Sequence, residues 1–169
     1  CEVRIENDAN CFALSEALNG AGQGYRVVFG VIIGTGTGGG LVVDGKLLNG
    51  PHSISGEWGH NPLPWWREDD GAIDCYCGKR ACIETFLSGP GFAHNYQTRF
   101  GGALDSADIV AAAAAGDPSC RDMLDRYCDQ MARSLAHLIN IVDPDAIVFG
   151  GGMSNIDAIY PVVARQLGN

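Results

Sequence analysis

The chain has 169 residues, enough for one domain of ordinary size, and 46% of them are hydrophobic, which supplies a core and excludes wholesale disorder. A net charge of −9 argues against nucleic acid or an anionic membrane as the main partner, because both call for basic patches. The longest apolar runs, at 27–34 and 136–142, are too short to cross a bilayer, and no basic-then-apolar leader is visible.

In chain order, residues 2–7 (EVRIEN) alternate apolar and polar and predict a strand. Asp8 then precedes a helical pattern over 9–20, in which Cys11, Leu14, Ala17 and Leu18 share a face and Gly20 is the stop signal. Residues 25–34 are rich in β-branched side chains and predict a strand buried on both faces. A glycine run follows, and the Asp44-Gly45 pair within 41–50 signals a two-residue hairpin. Residues 50–83 read as irregular. Residues 83–100 predict a helix that breaks at Gly89-Pro90-Gly91 and resumes, and 106–116 a short Ala-rich helix with Ser106 as N-cap. The strongest helix covers 117–142. Asp117 caps it, Pro118 takes the first position, and Leu124, Tyr127, Met131, Leu135, Leu138 and Val142 recur at three- and four-residue steps. Residues 145–152 predict a short buried strand running into glycines, and a helix begins within 155–169. This order defines an α/β domain.

Seven cysteines is an odd number, whereas a secreted disulfide framework pairs them all. Cys11, Cys120 and Cys128 fall within apolar helical patterns and read as small core residues, which favours a reducing, cytoplasmic setting. Cys75, Cys77 and Cys82 are different. Cys-x-Cys is too close for an unstrained disulfide, and with His60 upstream the three thiolates complete the donor set of a tetrahedral structural Zn2+. Such a set leaves no open coordination position, so the ion shapes its surroundings and has no Lewis-acid role.

Other motifs admit two readings each. GTGTGGG (34–40) lies between two predicted strands and lacks a following Gly-Lys-Ser/Thr. It is either a tight twisted hairpin or a turn whose backbone N–H groups, with the Thr35 and Thr37 hydroxyls, meet a phosphate. Glu57 and Glu84 bracket the cysteine cluster, as hydrogen-bond acceptors for sugar hydroxyls, as supporting partners of the metal-site residues, or as solvated charge. Asp8 is either an N-cap or a carboxylate at a strand end, where α/β proteins place catalytic groups. Asn7 and Asn10 beside it add neutral hydrogen-bonding groups. VFGGGMS (148–154) is a tight connection or a surface for a flat ligand.

Together these residues resemble the ROK family (repressors, open reading frames and kinases), within the actin-like, hexokinase-type ATPase superfamily. Its zinc signature, Glu-x-Gly-His followed by Cys-x-Cys-Gly-x-x-Gly-Cys-x-Glu, matches EWGH (57–60) and CYCGKRACIE (75–84). Ala81 stands where glycine is usual, a mild change if the backbone there has negative φ. GEWGHNPLPW, the long spacer between His60 and Cys75, and SLAHLINIVDPDAIVFGGGMSN resemble the bacterial fructokinase branch. The resemblance implies an actin-like ATPase lobe with a zinc-binding insertion. It implies Asp8 as catalytic base and Asn7, Glu57, His60 and Glu84 as sugar contacts, with His60 shared between sugar and Zn2+. ATP would meet Gly34, Thr35, Gly36, Thr37 and Gly38 at its phosphates and Gly150, Gly151 and Gly152 at its adenosine, with Mg2+. A homodimer is also implied.

The first lobe of such kinases carries an Asp-x-Gly-x-Thr phosphate loop, which does not occur in these residues. The chain is therefore expected to be a second lobe. Residues 1–22 would be the last strand and hinge helix of the first lobe, and 23–169 the C-terminal lobe with its insertion at about 50–84. Alone it is expected to be inactive. The expected activity of the whole is ATP-dependent phosphorylation of D-fructose on its 6-hydroxyl. The alternatives are a kinase for glucose, mannose or N-acetylglucosamine, the sugar-sensing body of a ROK transcriptional repressor, or a purely structural zinc module.

Overall fold

The computed structural model describes residues 5–168. β1 (Val27–Ile33) and β2 (Thr37–Val43) pair antiparallel from Val27–Val43 to Ile33–Thr37. β3 (Lys46–Leu47) extends that meander, and β4 (Ala146–Gly150) lies parallel to β1 on its other side, giving the order β3-β2-β1-β4. Asp44 and Gly45 both have positive φ (49° and 71°), as a two-residue hairpin with the twist of its strands requires.

The sheet is covered on both faces. Alternate residues of β1 point to opposite sides. Val28 joins Val42, Ala13 and Ala17 under α1 (Asp8–Asn19). Phe29, Val31 and Ile33 join the larger core beneath α2 (Glu84–Leu87), α3 (Gly89–Phe100), α4 (Ser106–Ala115), α5 (Pro118–Val142) and α6 (Ile159–Leu167). α5 is the spine of that layer. Cys120, Met123, Tyr127, Met131, Leu135 and Leu138 are buried along one side, and the Tyr127 hydroxyl donates to Leu87 O at 2.9 Å.

Several expectations change. Residues 5–7 form no strand, and most of the predicted strand at 2–7 lies outside the described residues. α1 buries Ala9, Ala13 and Ala17, while Cys11 and Leu18 are exposed. The cause is the sheet beneath, where the Cα atoms of Gly30 and Gly40 meet Ala13; a Cβ on either would come within 2.8 Å of the Ala13 Cβ. Only small side chains fit between helix and sheet there. Asn7, not Asp8, is the N-cap of α1, accepting from Asn10 N at 2.7 Å. Asp105 takes the same role for α4 in place of Ser106. The break in 83–100 falls at Ser88, whose hydroxyl accepts from Gly91 N, so Gly89-Pro90-Gly91 opens α3. A 3-10 turn, Gly152–Asn155, separates β4 from α6. No helix among the described residues is long and apolar enough to cross a membrane.

Candidate functional site

The topology gathers the singled-out residues at one end of the sheet. β1 and β4 run parallel, so the turns that follow them, Gly34–Gly36 and Gly150–Gly152, leave the sheet on the same side. β2 is antiparallel and starts there, at Thr37. The N-terminus of α1 is there too, because Ala9 approaches Gly38 while Ala13 approaches Gly30. The two turns touch. Gly151 has φ +87°, and a Cβ on it would lie 2.5 Å from Ile33 O.

Beside these turns a cleft of about 830 Å³ is lined by Gly34, Thr35, Pro90, Ser106, Gly152 and Met153, among others. The N-termini of α3 and α4 both open into it. Both first turns are capped, by the Ser88 hydroxyl on Gly91 N and by the Asp105 side chain on Asp108 N, and Asp105 lines the cleft too. Thr37 and Gly38 do not sit in the turn but begin β2, and the Thr37 side chain is buried.

The second part of the site is a wall built on β2. Residues Glu57 to His60 enter a 3-10 turn, Trp58–His60, held by the Trp58 indole donating to Gly38 O at 2.8 Å. Gly59 packs its Cα on the Thr37 carbonyl, where no side chain fits. Trp58 is thus buried, while Glu57 is exposed and His60 half-buried.

His60 faces the cysteines. The donor atoms of His60, Cys75, Cys77 and Cys82 all lie within 4.8 Å of one another. Cys75 Sγ is 3.6 Å from His60 Nδ1, and Cys77 Sγ is 3.7 Å from Cys82 Sγ. Bond lengths of about 2.3 Å to sulfur and 2.0 Å to nitrogen give a tetrahedron with edges of about 3.5–3.8 Å, so the donor set fits Zn2+. Cys75, Cys77 and Cys82 of the cluster and Cys120 and Cys128 of α5 are free thiols, as is the exposed Cys11. Burial pushes the Cys82 thiol up to about 12, so a metal arriving there displaces a proton.

Of the flanking groups, Asn7 Nδ2 donates to Glu57 Oε1 at 3.4 Å, so the structure brings these two together. Asp8 follows as the first residue of α1, exposed, with Oδ1 accepting from Ala9 N. Glu84 Oε2 accepts from Thr37 N at 2.9 Å and lies against the Gly36 Cα, which ties the wall to the glycine turn. Glu57 and His60 border a cleft of about 440 Å³, and Glu84 a separate recess of about 250 Å³.

Two features escaped sequence reasoning. Tyr76, between two of the cysteines, places its hydroxyl 3.0 Å from His60 Nε2, with the rings edge-to-face at 5.1 Å. The nearby Glu84 charge, foremost, and some burial raise the Tyr76 phenol above its usual range. The other is the spacer after His60. Asp70 receives two hydrogen bonds from Arg133 of α5, at 2.6 and 3.1 Å, with both side chains at least nine-tenths buried. Burial alone would raise the Asp70 carboxyl, but Arg133, the Arg67 N–H and Gln130 outweigh it and hold it below the ordinary value. The spacer is a clamp onto α5.

A lobe with two glycine turns and a metal-ready wall at one sheet end is of the actin-like sugar-kinase type. The ROK family model matches residues 1–169, and the chain belongs to the ROK family. It is 42% identical over 171 aligned positions to an N-acetyl-D-glucosamine kinase of Pectobacterium carotovorum, covering 98% of this chain and 56% of that protein. The chain therefore spans little more than half the length of this curated relative. Among solved structures it resembles a ROK hexokinase from Thermus thermophilus (TM-score 0.87, 30% identity, 96% of this chain and 54% of that one). It also resembles a ROK family glucokinase from Streptomyces griseus in complex with glucose and AMPPNP (TM-score 0.81, 30% identity, 98% and 58%). These findings correct the fructokinase-branch reading. That choice leaned on GEWGHNPLPW, on the spacer and on the 134–155 stretch, whereas the curated relative is an N-acetyl-D-glucosamine kinase and the spacer is bonded to α5.

Proposed function

We propose that the chain is the second lobe of an ATP-dependent hexose kinase whose substrate is N-acetyl-D-glucosamine. The observation that carries the kinase reading is the convergence at one sheet end of the two glycine turns, the α1 N-terminus and the His60 wall. The sugar assignment rests on the similarity to N-acetyl-D-glucosamine kinases along nearly the whole chain.

In this reading Asn7, Glu57, His60 and Glu84 hold the sugar through its hydroxyls, and Asp8 takes the proton of the 6-hydroxyl as it attacks the γ-phosphate. The 34–36 turn, with the Thr35 hydroxyl, faces the phosphates, and the 150–152 turn faces the adenosine. Mg2+ neutralises charge on the transferring phosphoryl group when bound. Zn2+ held by His60, Cys75, Cys77 and Cys82 stiffens the wall, so its groups stand in position before the sugar arrives. The first 22 residues serve as hinge to a first lobe, and catalysis belongs to the two-lobed protein.

The test is a sugar panel on the full-length protein, with kcat/KM for N-acetyl-D-glucosamine, glucose, mannose and fructose. N-acetyl-D-glucosamine should rank first; a preference for fructose, or no transfer from ATP to any of the four, would overturn the reading. Metal analysis should find about one Zn2+ per chain, lost in Cys77→Ala together with hydrogen-exchange protection over 57–84. A metal-free protein with Cys75 and Cys82 joined as a disulfide would sink the zinc assignment.

A further inference from the structure

The x position of a Cys-x-Cys pair needs no particular side chain for metal binding, since the backbone alone fixes Cys75 and Cys77. The residue there is nevertheless a tyrosine, 83% exposed, whose ring meets the protein chiefly at the edge of His60. What holds it is its hydroxyl, 3.0 Å from His60 Nε2. A metal on His60 Nδ1 leaves the imidazole proton on Nε2, which then donates to the Tyr76 oxygen. The phenolic proton is then free to point into the recess that Glu84 lines. Tyr76 and Glu84 border the same recess. A group that accepts from His60 at the edge of the Glu84 recess is what a sugar hydroxyl would be in the same place.

We propose that the Tyr76 hydroxyl occupies the position of a hexose hydroxyl between His60 and Glu84, and that sugar must displace it, so that Tyr76 sets the sugar affinity of this site. The inference rests on the sugar-contact roles proposed above for His60 and Glu84. His60 Nε2 carries one proton and can serve one partner well. The ring buries little, so swinging it away forfeits almost no packing, and exposed side chains change rotamer in picoseconds to nanoseconds. The cost of displacement is therefore close to the net worth of one hydrogen bond. A tyrosine that merely orients the imidazole makes the opposite prediction, because losing it would loosen the wall and weaken sugar binding.

The experiment compares wild type and Tyr76→Phe in the full-length, zinc-loaded protein. Calorimetry measures N-acetyl-D-glucosamine affinity, and steady-state kinetics separate KM from kcat. Removing the hydroxyl should tighten binding about two- to tenfold, the equivalent of one hydrogen bond, with the gain in KM. Unchanged or weaker binding in Tyr76→Phe, with wild type binding the sugar, would overturn the displacement while leaving the kinase reading intact. Should wild type bind none of the four hexoses, the sugar site and the displacement would fall together.

Discussion

Ala81 has φ +53°, in the left-handed region where a Cβ crowds the following carbonyl. The substitution of Ala for the usual glycine is therefore not the mild change that a negative φ would have made it. The conformation is imposed from both sides, by Ala81 N donating to Ile73 O at 2.9 Å and Leu63 N donating to Ala81 O at 2.8 Å. These bonds knit the metal-site segment into the loop before it. A left-handed non-glycine residue costs about 1–2 kcal/mol, and glycine returns about 0.4–1 kcal/mol of that through a freer unfolded chain. Ala81→Gly should stabilise the protein by about 0.5–1 kcal/mol, read as a higher urea midpoint at unchanged slope. Loss of stability would mean that the Ala81 methyl makes packing contacts worth more than the strain.

At the scale of elements, β1, β4 and α5 were legible in the sequence because their apolar patterns are strong, and the Asp44-Gly45 turn because its chemistry is specific. The strand expected at 2–7 is absent from 5–7, and the first half of β2 is a glycine run that read as a turn. Helix starts were not, since Asn7 and Asp8, like Asp105 and Ser106, are neighbours that can each cap. The α1 face was misassigned because large apolar residues dominate a hydrophobic pattern, whereas this sheet presents glycines that admit only alanine. The cysteine cluster was legible as a motif. The spacer clamp was not, because Asp70 and Arg133 lie 63 positions apart and look like ordinary surface charges. Arg133 also bonds Asp129 and the Pro64 and Trp65 carbonyls, so it fastens the insertion to α5. Asp70→Asn should destabilise by about 2–3 kcal/mol, less than for a wholly orphaned buried charge because Asp129 remains. The carboxyl is held below its ordinary 3.8 in the fold, so its contribution is fully present above pH 3.8 and is lost as pH falls through the lower folded value. The stability gap between wild type and variant should thus be flat from neutral pH to about 4 and close only in stronger acid. A gap that narrows between pH 7 and 5 would show that the ion pair is not its source.

At the scale of the whole molecule, a backbone-to-carboxylate hydrogen bond ties the metal-site segment to the glycine turn. Glu84 belongs to the segment that carries Cys82, and its Oε2 accepts from Thr37 N, where the glycine turn becomes β2. Its carboxylate also rests on the Gly36 Cα, so the turn's position depends on where Glu84 stands. Sequence could not show this, because nothing in the spacing of Glu84 and Thr37 marks them as partners. The consequence separates Glu84 from the other proposed sugar contacts. Glu84→Ala removes a charge-assisted acceptor and leaves the half-enclosed Thr37 N–H without it, which frees the turn to move. In the full-length protein the variant should lose sugar affinity and also bind a non-hydrolysable ATP analogue about three- to tenfold more weakly in the absence of sugar. Glu57→Gln, at a side chain that among the described residues meets Asn7 and not the turn, should weaken sugar binding alone. Calorimetric titrations of each ligand onto each variant decide the matter. If Glu84→Ala leaves nucleotide affinity where it was, the wall and the glycine turn are held in place independently, and the bond to Thr37 is not what couples them.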